Sequence, residues 1–331
     1  MKPSQLKTLL VNMIATKNPA LIVGPPGVGK SDIVTQACEL AGANLLIEHP
    51  VVSDPTDFKG LPYAENGKAT FLPFDNLSKL IEAKTLTVYF LDDVGQASAA
   101  VQAACMQLLL ARKINGFNVS EHVCFLAATN RHTDKAGVSG VLEPVKSRFT
   151  SIINLETDME DWVSWALKAG LPTELIAFVR FRPKLLSDFQ PTKEMKNSPC
   201  PRTVHNIGKL MQMGVPAELE YEVYQGATGE GFAAEFTAFL QIYRKLPNPD
   251  TVLMNPSNAE VPEDPATLYA ISGAIARKAS EQNIDRVVTY SERLPSEFNV
   301  LLMRDALEVS PEISTTRPWI EWCSRNSSVM V

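Results

Sequence analysis

The residues best suited to chemistry form a glycine-rich loop near the N-terminus, with the pattern G-x-x-x-x-G-K-[ST]. The loop consists of Gly24, Pro25, Pro26, Gly27, Val28, Gly29, Lys30 and Ser31. Glycines let backbone N–H groups point inward around an anion, the lysine adds a point charge for the outer phosphates, and the hydroxyl can ligate Mg²⁺. The pattern therefore predicts a polyphosphate site, which extends to Asp32 directly after the loop.

The segments on either side of the loop are those that such a loop requires. Residues 20–23 form an apolar run typical of a buried strand, and residues 32–41 have the pattern of a helix. The N-terminus of that helix would add its partial positive charge to the site. A plain glycine-rich turn that joins a strand to a helix is the alternative interpretation.

Two adjacent acids form the second chemical element. Asp92 and Asp93 follow residues 86–91, a continuous apolar run typical of a strand buried on both faces of a parallel sheet. Ligands of open α/β sheets bind at this end of the strands, where Asp92 can hold Mg²⁺ directly or through water. Asp93 can orient or deprotonate an attacking water. The alternative is that both acids cap the next helix.

Asn130 follows another buried apolar run, residues 123–128. The ends of neighbouring parallel strands lie side by side, so Asn130 is predicted to lie beside the two acids. From there it can hold the attacking water or contact the γ-phosphate. An asparagine that only starts a turn is the alternative.

The order of apolar patterns predicts an α/β fold followed by helices. Over residues 1–155, buried strands alternate with helices, which predicts one doubly wound parallel sheet. Asn66-Gly67 is a strong turn signal and predicts an inserted hairpin near residues 61–73. Residues 156–331 have helical periodicity, interrupted by proline-rich connectors, and we predict a mobile loop over residues 246–265.

Composition narrows the class of protein. The net charge of −6 argues against a general surface for nucleic acid or for an anionic membrane. The five cysteines are scattered and lack C-x-x-C spacing, which indicates buried or idle thiols in a reducing compartment. Neither a signal-peptide core nor a long apolar stretch occurs, so we expect a cytoplasmic protein without a membrane span.

Taken together, the motifs resemble those of the AAA+ ATPases. More narrowly, they resemble the MoxR-like branch, whose bacterial and phage members are often paired with von Willebrand A-type proteins. The resemblance is carried by Gly24 to Ser31 and by residues 53–60, 90–93, 101–104, 128–131, 147–149 and 201–203. It covers most of residues 1–245 and fades in the C-terminal block. It implies a P-loop NTPase sheet domain over residues 1–155, followed by a helical lid and a helical extension over residues 156–331.

The resemblance also implies roles for individual residues. Asp92 is similar to the Walker B metal residue, and Asn130 to sensor 1. Arg148 resembles the arginine finger that reaches a neighbouring subunit, and Arg202 resembles sensor 2 on the lid. Asp93 departs from the family pattern, which usually has glutamate here, and its carboxylate lies about one methylene closer to the backbone.

The two arginine roles have alternatives. Arg148 could be a surface charge, and Arg202 could be a helix-start residue bound to a carboxylate. The competing candidates for either role are Arg131, Arg180 and Arg182.

By the same resemblance, the cofactors are ATP and Mg²⁺, and the protein is an ATP hydrolase that forms a hexameric ring. The ring would remodel or chaperone a client or adaptor protein, for which von Willebrand A-type proteins are candidates. Phe58, Lys59, Tyr63 and Lys68 would face the central opening and grip the client. The alternatives are a DNA-directed motor or loader, which the acidic balance disfavours, and a slowly hydrolysing nucleotide switch, which Asp93 favours.

Overall fold

The computed structural model describes residues 1–134, 140–192 and 194–327. The chain divides into two compact units. The first comprises Met1–Asp158 with Phe189–Pro191, and the second comprises Met159–Asp188 with the described residues from Thr192 onward. Within the described part of the chain, no helix combines the length and the apolar character needed to cross a bilayer.

Strands and helices alternate in the first unit. Its elements are α1 (Pro3–Ala15), β1 (Ala20–Val23), α2 (Lys30–Ala41), β2 (Asn44–Glu48), β3 (Leu61–Glu65), β4 (Lys68–Leu72), α3 (Asp75–Glu82), β5 (Thr87–Leu91), α4 (Ala99–Ala111), β6 (Lys113–Ile114), β7 (Phe117–Asn118), β8 (Val123–Thr129), α5 (Glu143–Lys146) and β9 (Ser151–Asn154). Short 3₁₀ turns cover Pro50–Val52, Pro55–Phe58, Val94–Gln96 and His132–Asp134.

Five of these strands form one parallel sheet in the order β2-β5-β8-β1-β9. Every residue of β5 and β8 is buried, because helices cover both faces, and this explains their continuous apolar sequences. The parallel sheet with flanking helices confirms the predicted fold class. In the pairing of β5 with β8, Leu91 lies opposite Ala127, so the polar residues after both strands emerge at the same edge.

Two hairpins project from this unit. In the first, β3 pairs with β4, and the turn residues Asn66 and Gly67 both have positive φ. In the second, β6 pairs with β7 around Asn115 and Gly116, which also both have positive φ. Asn-Gly suits such turns because both positions tolerate left-handed backbone. The sequence interpretation used this signal at the first hairpin and missed it at the second.

The core of the first unit corrects one prediction. Phe58 was expected to face a central opening, but it is only 3% exposed and packs with Tyr89 and Leu91 on one face of the sheet. The neighbouring Lys59 and Lys68 are exposed. Phe58 is therefore a core residue, because the 3₁₀ turn that carries it turns its ring inward.

The regular elements among the described residues of the second unit are all helices. Its elements are α6 (Met159–Lys168), α7 (Thr173–Phe181), α8 (Pro201–Met213), α9 (Glu220–Thr228), α10 (Glu230–Tyr243), α11 (Pro249–Met254), α12 (Pro265–Ala276), α13 (Ile284–Ser291), α14 (Ser296–Val309) and α15 (Arg317–Asn326), with 3₁₀ turns at Pro183–Leu186 and Pro311–Thr315. The predicted loop over residues 246–265 is partly wrong, because it contains α11. Val252 and Leu253 of α11 are buried against α12 and α13, so this stretch contributes to the core.

A buried ion pair joins α7 to α14 within this unit. Both guanidinium Nη atoms of Arg180 donate to the carboxylate of Asp305, with Nη2 to Oδ1 at 2.6 Å, and the two residues are 5% and 1% exposed. Removing one partner of a buried pair leaves the other charge buried without compensation. Arg180, a competitor for the nucleotide-contacting roles, is thus engaged by Asp305.

We expect Arg180→Ala to lower the free energy of unfolding of the second unit by about 3–5 kcal/mol, because it strands Asp305. Tryptophan fluorescence in urea reports on this unit alone, since it contains every tryptophan of the chain, namely Trp162, Trp165, Trp319 and Trp322. The matched control is Arg304→Ala, which breaks the exposed pair with Glu160 and should cost less than about 1 kcal/mol. Equal losses in both variants would contradict a special role for the buried pair.

Candidate active site

The glycine-rich loop connects β1 to α2 and owes its shape to two glycines. A Cβ at Gly24 would lie 3.1 Å from the carbonyl oxygen of Leu155, so a larger residue would crowd the backbone where the loop passes the end of β9. Gly29 caps α2 with φ of 97°, a conformation that glycine adopts without steric cost. The loop therefore leads directly into the first turn of α2, where helix N–H groups lack intrahelical acceptors and suit an anion.

The remaining loop residues differ in burial. Val28 is buried in the core beneath the loop, whereas Pro26 is half-buried. Asp32 is exposed on the first turn of α2, so a phosphate held at the helix N-terminus would meet its backbone N–H rather than its carboxylate.

Lys30 lies at the centre of the site and is 7% exposed. Its Nζ donates to the carbonyl oxygens of Gly24 at 3.0 Å and Pro25 at 3.1 Å, and to Oδ1 of Asn130 at 2.6 Å. A lysine ammonium has three N–H donors, and these three bonds use all of them. A phosphate oxygen that accepts from Lys30 must displace one acceptor, and Asn130 is the one carried by a side chain rather than by the backbone.

Ser31 and Asp92 form an oxygen pair next to Lys30. The Ser31 hydroxyl donates to Oδ2 of Asp92 at 2.5 Å, and Asp92 is 8% exposed. The backbone N–H of Asp92 donates to the carbonyl of Glu48 at 2.9 Å, which extends the β2–β5 ladder by one bond. Asp92 is thus held by the sheet itself, with its carboxylate against the first turn of α2.

Asp93 begins a tight turn after β5 and has φ of 56° and ψ of 34°, the left-handed region. A side chain other than glycine in this region costs about 1–2 kcal/mol, which surrounding contacts must offset. The Asp93 carboxylate lies near the Asn130 amide, whose Nδ2 is 3.4 Å from Oδ1. The structure therefore brings Lys30, Asn130 and Asp93 together, although they lie far apart in the sequence.

Sequence interpretation missed Gln96, which completes this cluster. When its amide is oriented to satisfy its neighbours, its nitrogen donates to Asp93 Oδ1 at 2.9 Å and to the Asp93 carbonyl at 3.1 Å. Its oxygen then accepts from Asn130 Nδ2 at 2.9 Å. The sequence offered only one signal for Gln96, its position three residues after Asp93.

The two arginines with predicted roles lie in different units of the chain. Arg148 follows α5 in the first unit and is half-buried, and among the described residues its buried Nε has no hydrogen-bond partner. Arg202 is the second residue of α8 in the second unit and is exposed.

The competing arginines have partners of their own. Arg131 pairs with Asp134 at 3.1 Å, and Arg182 pairs with Glu235 at 2.6 Å. Both of these arginines are therefore engaged within the chain.

The three cysteines of the first unit are buried and unreactive. Burial raises the pKa of Cys105 and of Cys124 to about 12, and the pKa of Cys38 to about 11. The thiolate is the reactive form, so these side chains stay protonated and inert at neutral pH.

A parallel sheet whose first strand leads through G-x-x-x-x-G-K-S into a helix, with acids at the carboxyl end of another strand of the same sheet, defines a P-loop NTPase. Residues 20–157 match the model of the ATPase family associated with various cellular activities, AAA. The match covers β1 to the end of the sheet unit and, together with the P-loop fold, supports ATP hydrolase activity. No curated protein matches the sequence.

Solved structures with a similar chain include two bacterial proteins. The Thermotoga maritima RuvB Holliday junction branch migration motor is 14% identical, with a TM-score of 0.41, over 82% of this chain and 80% of that one. NtrX from Brucella abortus is 14% identical, with a TM-score of 0.44, over 92% of this chain and 67% of that one. A complex of NtrX with ADP has a TM-score of 0.42 at 14% identity, over 99% of this chain and 68% of that one.

Proposed function

We propose that the protein is a MoxR-like AAA+ ATPase that assembles into a hexameric ring and uses Mg-ATP hydrolysis to remodel or chaperone a partner protein. The observation that carries the proposal is the convergence of Lys30, Asn130 and Asp93 at the carboxyl edge of the sheet. In this proposal the first unit is the nucleotide-binding domain, and the second provides the lid and a helical extension.

We assign ATP binding to the loop of Gly24 to Ser31 and to the first turn of α2, including the backbone of Asp32. Lys30 would exchange its bond to Asn130 for a bond to an outer phosphate oxygen, because its two other acceptors are backbone carbonyls. Once released, the Asn130 side chain could orient the attacking water or contact the γ-phosphate.

The residues present fit Mg²⁺ that arrives with the nucleotide. The Ser31 hydroxyl and the Asp92 carboxylate are a small set of oxygen ligands, and Mg²⁺ is usually bound by one or two carboxylates together with substrate phosphates and waters. Among the described residues, no cluster of three or more histidine, cysteine or acidic side chains forms an all-protein metal cage. Bound there, Mg²⁺ would neutralise charge on the phosphates.

Hydrolysis is assigned to Asp93 and Asn130. The Asp93 carboxylate would accept a hydrogen bond from the attacking water and take its proton as the water approaches the γ-phosphate. Asn130 lies between Asp93 and Lys30, so it would hold that water between base and phosphate. Arg202 on α8 would act as sensor 2 of the lid, and its guanidinium would be a cation for the nucleotide.

Ring assembly would complete the site, since AAA+ ATPases commonly form rings. We assign Arg148 as the finger that enters the nucleotide site of the neighbouring subunit. Its buried Nε has no internal partner among the described residues, which supports this role. For the client contact, Phe58 is excluded by burial, which leaves the exposed Lys59 and Lys68 with the half-buried Tyr63.

The partner is proposed to be a client or adaptor protein, with von Willebrand A-type proteins as the candidates. The net charge of −6 makes nucleic acid a less suitable partner. The protein is also proposed to be cytoplasmic and to make no contact with a membrane. The free state of all five cysteines supports a reducing compartment.

Asp93→Asn tests the proposal. We expect this variant to bind Mg-ATP with unchanged affinity and to lose ATP turnover by at least about 100-fold, because the amide cannot take a proton from water. Affinity capture in ATP should then retain a protein client. ATP turnover that equals that of the wild type would contradict the assignment, and stimulation of the wild type by DNA that falls with salt would favour a DNA-directed motor or loader.

One observation favours a slowly hydrolysing nucleotide switch as the second candidate. The short side chain of Asp93 is held by Gln96 and by Asn130, so its carboxylate has little freedom to reach a distant water. A wild-type protein that binds ATP tightly and hydrolyses it slowly even when assembled would identify the switch.

A further inference from the structure

We propose that Gln96 is a positioning residue for ATP hydrolysis, which locks the Asp93 carboxylate and the Asn130 amide into one arrangement. This inference rests on the proposed function, and it names a residue that no motif of the chain includes.

Gln96 holds Asp93 by three hydrogen bonds. Its backbone N–H donates to the Asp93 carbonyl at 3.0 Å, and its side-chain nitrogen donates to the same carbonyl at 3.1 Å and to Oδ1 at 2.9 Å. One residue thus fixes both the backbone and the carboxylate of Asp93.

The backbone of Asp93 has an unusual conformation. Its left-handed conformation is sparsely populated for aspartate and persists only where the surroundings impose it. The Gln96 bonds to the Asp93 carbonyl close the tight turn over Val94–Gln96, so they help to impose that conformation. A relaxed turn would move the Asp93 carboxylate away from Asn130.

The hydrogen bonds of the site run in one direction, from Lys30 towards Asp93. Lys30 donates to Asn130, Asn130 donates to Gln96, and Gln96 donates to Asp93. A phosphate oxygen would replace Asn130 as an acceptor of a hydrogen bond from Lys30. The bond from Asn130 to Gln96 does not involve the lysine, so it can remain. Gln96 would therefore keep Asn130 aligned with Asp93 at the stage when ATP is bound.

The experiment compares ATP turnover and ATP affinity in variants of the full-length protein. We expect Gln96→Ala to lower kcat by about 10- to 100-fold, while the dissociation constant for Mg-ATP stays unchanged. Gln96→Glu retains the size and the acceptor for Asn130 but lacks the donor to Asp93, so it should lose at least as much. Gln107→Ala is the matched control, because Gln107 is exposed on α4, and it should behave as wild type.

A double variant separates positioning from a structural role. If Gln96 acts through Asp93, adding Gln96→Ala to Asp93→Asn should cause no further loss in single-turnover hydrolysis. Multiplied losses, or a fall in melting temperature and ATP affinity in both Gln96 variants, would overturn the inference and leave Gln96 structural. Wild-type kcat in Gln96→Ala beside an inactive Asp93→Asn would overturn it while sparing the proposed function. Full activity of Asp93→Asn would overturn both.

Discussion

Lys30→Ala is expected to abolish the binding of ATP. Lys30 is the side-chain cation within the loop, and its Nζ is held between two loop carbonyls and Asn130 at the place where outer phosphates are expected. Removal of this charge takes away the main counter-charge of the polyphosphate and the hydrogen bond that holds Asn130. Calorimetric titration of the variant with Mg-ATP should show no binding heat.

The control for this change is Lys84→Ala. Lys84 is an exposed lysine in the same unit, outside the loop, and its loss should leave ATP affinity unchanged. The melting temperature of Lys30→Ala should be compared in the absence of nucleotide, since alanine also leaves the Gly24 and Pro25 carbonyls without a donor. If a folded Lys30→Ala protein keeps its ATP affinity, the loop does not bind the phosphates of ATP.

The second large effect is expected at Arg148. Arg148→Ala should lower ATP turnover by about 10³-fold and leave ATP affinity nearly unchanged. A guanidinium supplied from a neighbouring subunit stabilises charge that grows on the transferring phosphoryl group, so the loss falls on the transition state rather than on binding. Specific activity of the wild type should also rise with protein concentration, because the proposed ring would assemble by mass action.

Mixing two inactive variants tests whether the site is shared. When Arg148→Ala and Lys30→Ala subunits assemble together, some interfaces pair an intact loop from one subunit with an intact arginine from the next. Such mixtures should regain part of the activity. Arg131→Ala is the matched control, because this neighbouring arginine pairs with Asp134, and its loss should leave turnover near that of the wild type.

Two inactive proteins that stay inactive, although native mass spectrometry shows mixed assemblies, would count against a finger in trans. Arg148 would then be a structural residue of the turn before β9, and its alanine variant should also unfold at a lower temperature.

The central strands of the sheet could be predicted because burial on both faces requires an apolar composition. β5 and β8 are buried on both faces, so they are apolar without interruption and could be recognised as parallel strands. The polar residues that follow them could then be assigned to one edge. Shorter elements are less predictable: the proline-rich surroundings of α11 indicate a loop, and its six helical residues are too few to show a clear helical pattern.

Side-chain direction in the loops could not be predicted. Phe58 and Lys59 are adjacent in the sequence, yet one packs in the core and the other is exposed. The backbone of the short turn decides which of them points inward, and that backbone depends on what it packs against.

Local sequence patterns are enough to predict the class of chemistry, since the spacing within the loop from Gly24 to Ser31 and the acid pair after β5 has a direct chemical meaning. Which distant groups meet depends on the folded chain. Lys30 reaches Asn130 across 100 residues of chain, Arg180 reaches Asp305 across 125, and the amide of Gln96 lies between Asp93 and Asn130. Sequence periodicity is local, whereas these contacts depend on the order and register of the strands and on helix packing, so only the folded chain brings the groups together.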